Sequence, residues 1–227
     1  MPQYSTQNAL NTATGLPPHA GMALQTVGSS LTDARTVVIL LHGRGAGSEG
    51  IIPLAEELAL KDVAFIVPEA SGRAWYPFSF LSPLESNEPG LSSGLSVIDG
   101  IITACERLNI TSDRIVLAGF SQGACLALEY AIRHPRRYHA VLGFSGGLIG
   151  PRGTAWQGGS ALAETPVFLG CSDRDMHIPA ERVQETAETF TAYGARVDMR
   201  LYPGMPHTIN DDEIAAARAI LSSEAGT

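Results

Sequence analysis

The chain has 227 residues, is 44% hydrophobic and 17% charged, an ordinary globular balance with enough length to bury a sizeable core. Its formal net charge of -8 argues against nucleic-acid and anionic-membrane partners, which select a basic excess. No stretch approaches the roughly 18 apolar residues of a membrane span, and the polar start MPQYSTQNALNTATGLPP has no secretory pattern. Cys105, Cys125 and Cys171 are an odd number in no metal-ligand spacing, so no metal is expected. Reduced thiols in a cytoplasmic protein are the expectation.

Residues 1–18 read as a loose arm. ARTVVILLHG is a continuous apolar run ending in glycine, as expected for a strand buried on both faces. GIIPLAEELAL reads as a helix with Pro53 in its first turn, and VAFIVPEA as a second buried strand. An aromatic loop rich in Pro, Ser and Gly follows. LSSGLSVIDGIITACERLNI is read as a helix despite two internal glycines, DRIVLAGF as a third buried strand, and residues 122–133 as a helix stopped before Pro135. HAVLGFSG and TPVFLGCS are the fourth and fifth strands. PAERVQETAETFTAYG is read as a helix ended by Gly194. ARVDMRLYP alternates and reads as a less buried strand, and DDEIAAARAILSSE as a closing helix with acids at its start. No linker or repeat interrupts this order, so one domain over residues 1–227 is expected. Buried strands alternating with helices imply an α/β fold with a mostly parallel sheet covered on both faces. Function then belongs in loops at the carboxyl ends of the strands.

Two segments match G-x-S-x-G: Gly119-Phe120-Ser121-Gln122-Gly123 and Gly143-Phe144-Ser145-Gly146-Gly147. A nucleophile elbow needs a strand, a tight turn and a helix whose N-terminus faces the serine. Ser121 has the strand RIVLA before it and good helix formers after it. Ser145 has the strand, but GGLIGPRGTAW cannot continue as a helix. Context therefore favours Ser121.

A serine needs a base, and the base an orienting acid, in the chain order Ser, acid, His. Asp173 and Asp175 are the acid candidates, and His207 follows the last strand in a Gly/Pro loop. His177 suits a local contact with Asp175. His134 and His139 suit capping and solvent contact, and His19 lies in the arm. In LLHGRGAGSEG the backbone N–H of Arg44 is the natural oxyanion donor, and that of Gln122 is the other.

Together LLHGRGAGSEG, GFSQGACLALEYAIRHP, GCSDRDMHIP and PGMPHTI resemble the phospholipase/carboxylesterase family of α/β-hydrolases, which includes acyl-protein thioesterases; the resemblance covers roughly residues 35–225. It implies an α/β-hydrolase fold without a large lid, Ser121 as nucleophile, Asp175 rather than Asp173 as acid, His207 as base, and Arg44 and Gln122 at the oxyanion positions. RAWYP resembles the family's substrate loop, so Trp75, with Gly43 and Met176, is expected to line the pocket. Many thioesterase members have Leu at the position of Arg44 and W-[YF]-D-[IL] in place of WYPF, which implies a differently shaped acyl channel here. Cys125, one turn past Ser121, reads as a small buried filler.

The expected activity is a serine carboxylesterase acting on small, short-acyl esters without a cofactor. The rivals are a thioesterase or lysophospholipase on long acyl chains and a catalytically idle ligand binder. A homodimer is one partner state the resemblance allows.

Overall fold

The computed structural model describes residues 12–156, 160–162 and 164–223. Residues 1–11 of the expected arm and Glu224 of the closing helix fall outside them. Seven strands form one sheet: β1 (Leu24–Gly28), β2 (Thr36–Leu41), β3 (Val63–Pro68), β4 (Ile115–Phe120), β5 (Ala140–Phe144), β6 (Pro166–Ser172) and β7 (Arg196–Tyr202). The order is β1-β3-β2-β4-β5-β6-β7, parallel throughout except for β1 against β3. The six expected strands are β2 to β7. β1 (LQTVG) is not among the expected strands, because only Leu24 is fully buried in this short edge segment.

Five α-helices cover the sheet: α1 (Ser48–Leu58), α2 (Gly90–Arg107), α3 (Gln122–Arg133), α4 (Ala180–Ala192) and α5 (Asp211–Ser222). The strand pleat sorts side chains by parity. Val37, Ile39 and Leu41 face α2, α3 and α4, whereas Val38 and Leu40 face α1 and α5. Each such fully buried aliphatic side chain stabilises the fold by about 1.5–3 kcal/mol. This two-sided burial produces unbroken apolar runs in the central strands. β7 at the edge keeps partly exposed residues. α4 ends as expected: Gly194 has φ 83° and the Ala195 N–H donates to the Phe190 carbonyl.

The structure departs from the sequence expectations in its first helix, its arm and His139. α1 begins at Ser48, so Pro53 lies in the second turn rather than the first. The described part of the arm is docked, not loose. Thr12 bridges Ala23, and the Leu16 N–H donates to Ser96 Oγ on α2. His19 is buried and fully bonded: Nδ1 accepts from the Ser71 N–H, and Nε2 donates to the Trp75 carbonyl. His139 is also buried and does not face solvent.

The chain runs from β2 to β3 on one side, then crosses to β4 on the other. The loops leaving β2 and β4 therefore diverge at a topological switch point, where open α/β sheets form their crevice.

Candidate active site

The turn from β4 into α3 carries Ser121 at φ 54°, ψ -118°, a backbone state that L residues adopt only when their surroundings enforce it. The flanking glycines enforce it by close approach. A Cβ on Gly119 would overlap the Gly123 backbone, and one on Gly123 would overlap the Leu41 carbonyl. The turn thus closes against β2 and lifts the serine to the head of α3, whose first-turn N–H groups have no helical partner.

His207, in the loop between β7 and α5, places Nε2 3.0 Å from Ser121 Oγ. Its Nδ1 lies 2.6 Å from Asp175 Oδ2. Nδ1–H therefore donates to the carboxylate, which leaves Nε2 to accept the serine proton. Asp175 follows β6 with its side chain fully buried. Its Oδ1 accepts from the backbone N–H groups of His177 (2.8 Å) and Ile178 (3.0 Å). Burial alone raises a carboxyl pKa, but the hydrogen bonds from His207, His177 and Ile178 outweigh it here and hold Asp175 below the ordinary value. Asp173 is not in this chain. Its Oδ1 accepts from the Gly204 N–H at 2.7 Å and braces the loop that carries His207.

A cavity of about 380 Å³ opens onto these groups. Ser121, His207, Gly43, Arg44 and Gln122 all line it. Two expected pocket residues do not. Trp75 is completely buried, and its Nε1–H donates to the His42 carbonyl at 3.0 Å. Met176 is 91% exposed and projects into solvent. The aromatic wall comes instead from Tyr76, Phe78 and Phe80. Trp75 instead packs against the His19 and His42 rings, with centroids 5.3 and 5.1 Å away.

The Gln122 side chain fixes this loop to the elbow. Its Oε1 accepts from the Trp75 N–H (2.9 Å), and its Nε2 donates to the Tyr76 carbonyl (2.8 Å). The Cys125 thiol also borders the cavity, but burial pushes it up to about 12. It stays protonated and is no rival nucleophile. His177, expected to make a local contact, does so through its N–H; its ring also stands 4.9 Å from that of His207.

Ser145 also has a positive φ, 50°. It is fully buried, and its Oγ has no hydrogen-bond partner among the described residues.

A profile of the phospholipase/carboxylesterase family matches residues 22–224. The chain belongs to this family of α/β-hydrolases. Acyl-protein thioesterase 1 of Eremothecium gossypii is 29% identical over 216 residues, covering 84% of this chain and 90% of that protein. The crystal structure of a phospholipase/carboxylesterase from Dyadobacter fermentans is 37% identical with a TM-score of 0.83, covering 95% of this chain and 100% of that one. The Bacillus cereus carboxylesterase shares the fold at 19% identity, with a TM-score of 0.71 over 87% and 92% of the two chains. The family thus joins this chain to esterases and thioesterases alike. Among the described residues, no helix is long and apolar enough to cross a membrane.

Proposed function

We propose that the protein is a serine carboxylesterase for small, short-acyl esters. The observation that carries this reading is the chain Ser121 Oγ, His207 Nε2, His207 Nδ1 and Asp175 Oδ2, with links of 3.0 and 2.6 Å beside a cavity of about 380 Å³. His207 takes the Ser121 proton as Oγ bonds the ester carbonyl carbon, and the carbonyl electron pair moves onto oxygen. The N–H groups of Arg44 and Gln122 receive that oxyanion. Collapse breaks the bond to the alcohol oxygen, which leaves with the proton from His207. Water then repeats the sequence and releases the acid. Asp175 holds the imidazole in the tautomer this needs and stabilises its charged form.

The cavity volume lies near the lower end of small-molecule sites, which favours short acyl groups. A second reading, a thioesterase, draws on the similarity to acyl-protein thioesterase 1. Rates on 4-nitrophenyl esters with acyl chains of two to sixteen carbons, and on the matching thioesters, separate the two. A maximum at short oxygen esters supports the proposal; one at long chains or at thioesters overturns it. The three cysteines are free and buried, which fits a reducing, cytoplasmic setting.

A further inference from the structure

The cavity wall has an unusual charge balance for this protein. The chain carries 23 acidic against 15 basic side chains, yet among the described residues no Asp or Glu lines the cavity, and Arg44 does. The Arg44 guanidinium stands at the exposed mouth. Its Nη1 donates to the Pro77 carbonyl at 2.8 Å and its Nη2 to the Phe78 carbonyl at 2.6 Å. Its carbon lies 5.8 Å from the centre of the Tyr76 ring.

These partners orient the group without neutralising it. Arg35, Arg73, Arg133 and Arg200 each sit against a carboxylate; Arg44 has no carboxylate partner among the described residues. Glu49, on the first turn after the same loop, is taken by Arg73 at 2.7 Å. Asp175 beneath the site is buried and committed to His207 and two backbone N–H groups. The result is a rigid, unneutralised cation with N–H donors to spare. A planar guanidinium held in this way suits a carboxylate better than a flexible ammonium does. Its ordering cost is already met before substrate arrives.

We propose that Arg44 selects esters that carry a carboxylate close to the scissile carbonyl. The proposal rests on the esterase reading, in which the Arg44 N–H receives the oxyanion. The guanidinium is therefore tethered one side chain away from the reacting carbonyl, so the carboxylate must lie only a few bonds from the ester.

Two ester pairs place the charge on either half of the substrate. The acyl-side pair is the 4-nitrophenyl monoester of glutaric acid and 4-nitrophenyl butyrate. The alcohol-side pair is 4-carboxyphenyl butyrate and its methyl ester. The readout is the ratio of kcat/KM, anionic over neutral, corrected for each ester's hydroxide-catalysed rate. At low salt the wild type should favour the anionic member of one pair by roughly fivefold to tenfold. Added sodium chloride should erode that ratio. Arg44→Met should abolish it and Arg44→Lys should retain much of it. A wild type that hydrolyses all four esters without favouring either anion, a preference insensitive to salt, or one that survives in folded Arg44→Met overturns the proposal and leaves the esterase reading standing. Hydrolysis of none of them overturns both. Where Arg44→Met fails to fold, Arg44→Gln takes its place, and a preference it keeps in full overturns the proposal equally.

Discussion

Two segments of this protein share the sequence pattern G-F-S-x-G, end a strand and hold a serine at positive φ, yet the structure gives them opposite surroundings. At Ser121 the chain enters α3, and the serine borders a cavity with His207 3.0 Å away. At Ser145 it enters a buried strap whose N–H groups from Gly147 to Ile149 are taken. The Gly147 N–H donates to Cys125 Sγ, the Leu148 N–H to Thr186 Oγ1 and the Ile149 N–H to Glu129 Oε2. The Leu148 and Gly150 carbonyls accept from buried Arg182. The glycines differ in use as well. Gly123 lets the elbow close on β2, whereas Gly146 lets the strap lie against Ala124 of α3. A reactive serine needs free donors for an oxyanion and a base in reach. Ser145 is closed off from solvent, and its Oγ has no base within hydrogen-bond reach among the described residues.

The largest effect that could break this contrast is at Ser121 itself. Ser121→Ala should lower kcat on 4-nitrophenyl butyrate by about ten-thousandfold or more; a variant that keeps substantial turnover removes the assignment. The acid comes next. Asp175→Asn should cost on the order of a thousandfold to ten-thousandfold, because the His207 tautomer is no longer fixed. Asp173→Asn, which weakens the bond to the Gly204 N–H of the loop, should cost about tenfold or less. Equal losses would dissolve the distinction between the two carboxylates.

A third test is a pH effect on the Ser145 side. Glu213 caps α5 with Oε2 on the Asn210 N–H and packs against Gly170, whose carbonyl accepts from the Ser145 N–H. Its Oε1 is buried without a partner among the described residues. Burial pushes the Glu213 carboxyl from its ordinary value of 4.5 up to about 7. The unfolded chain therefore releases this proton at a lower pH than the folded one. The stabilisation is fully present below the unfolded value and is lost as pH rises through about 7. Unfolding free energies at pH 5 and pH 8 should show Glu213→Gln losing less stability over that interval than wild type, by on the order of 2–3 kcal/mol at most. Parallel curves would show that the carboxyl ionises normally.

The smallest effect is at Ser145. Ser145→Ala removes a buried hydroxyl that has no partner among the described residues, so turnover should stay near wild type. Stability should change by no more than about 1 kcal/mol, in the stabilising direction. A large loss of turnover in folded protein would mean that the second serine takes part.

Much of this contrast was legible in the sequence. Helix formers after Ser121 and Gly-Gly with Pro151 after Ser145 separate the two motifs, and the six inner strands are evident because burial on both faces makes their runs continuous. β1 was not legible, since an edge strand with one buried side chain carries no such run. The docked arm is not legible because His19 and Ala13 are isolated residues in a polar segment; the contacts of His19 lie far along the chain, at Ser71 and Trp75. The resemblance marks Trp75 as notable, but its burial against His19 and His42 depends on distant segments and leaves Tyr76, Phe78 and Phe80 to border the cavity. The buried Glu129 and Arg182 are likewise explained only by the strap they hold.

Labelling the folded protein with a fluorophosphonate and mapping the adduct by peptide mass spectrometry identifies the nucleophile. One adduct per chain is expected, on Ser121, within the tryptic peptide spanning residues 115–133. An adduct on Ser145, or a folded protein that takes none, would overturn the assignment of Ser121.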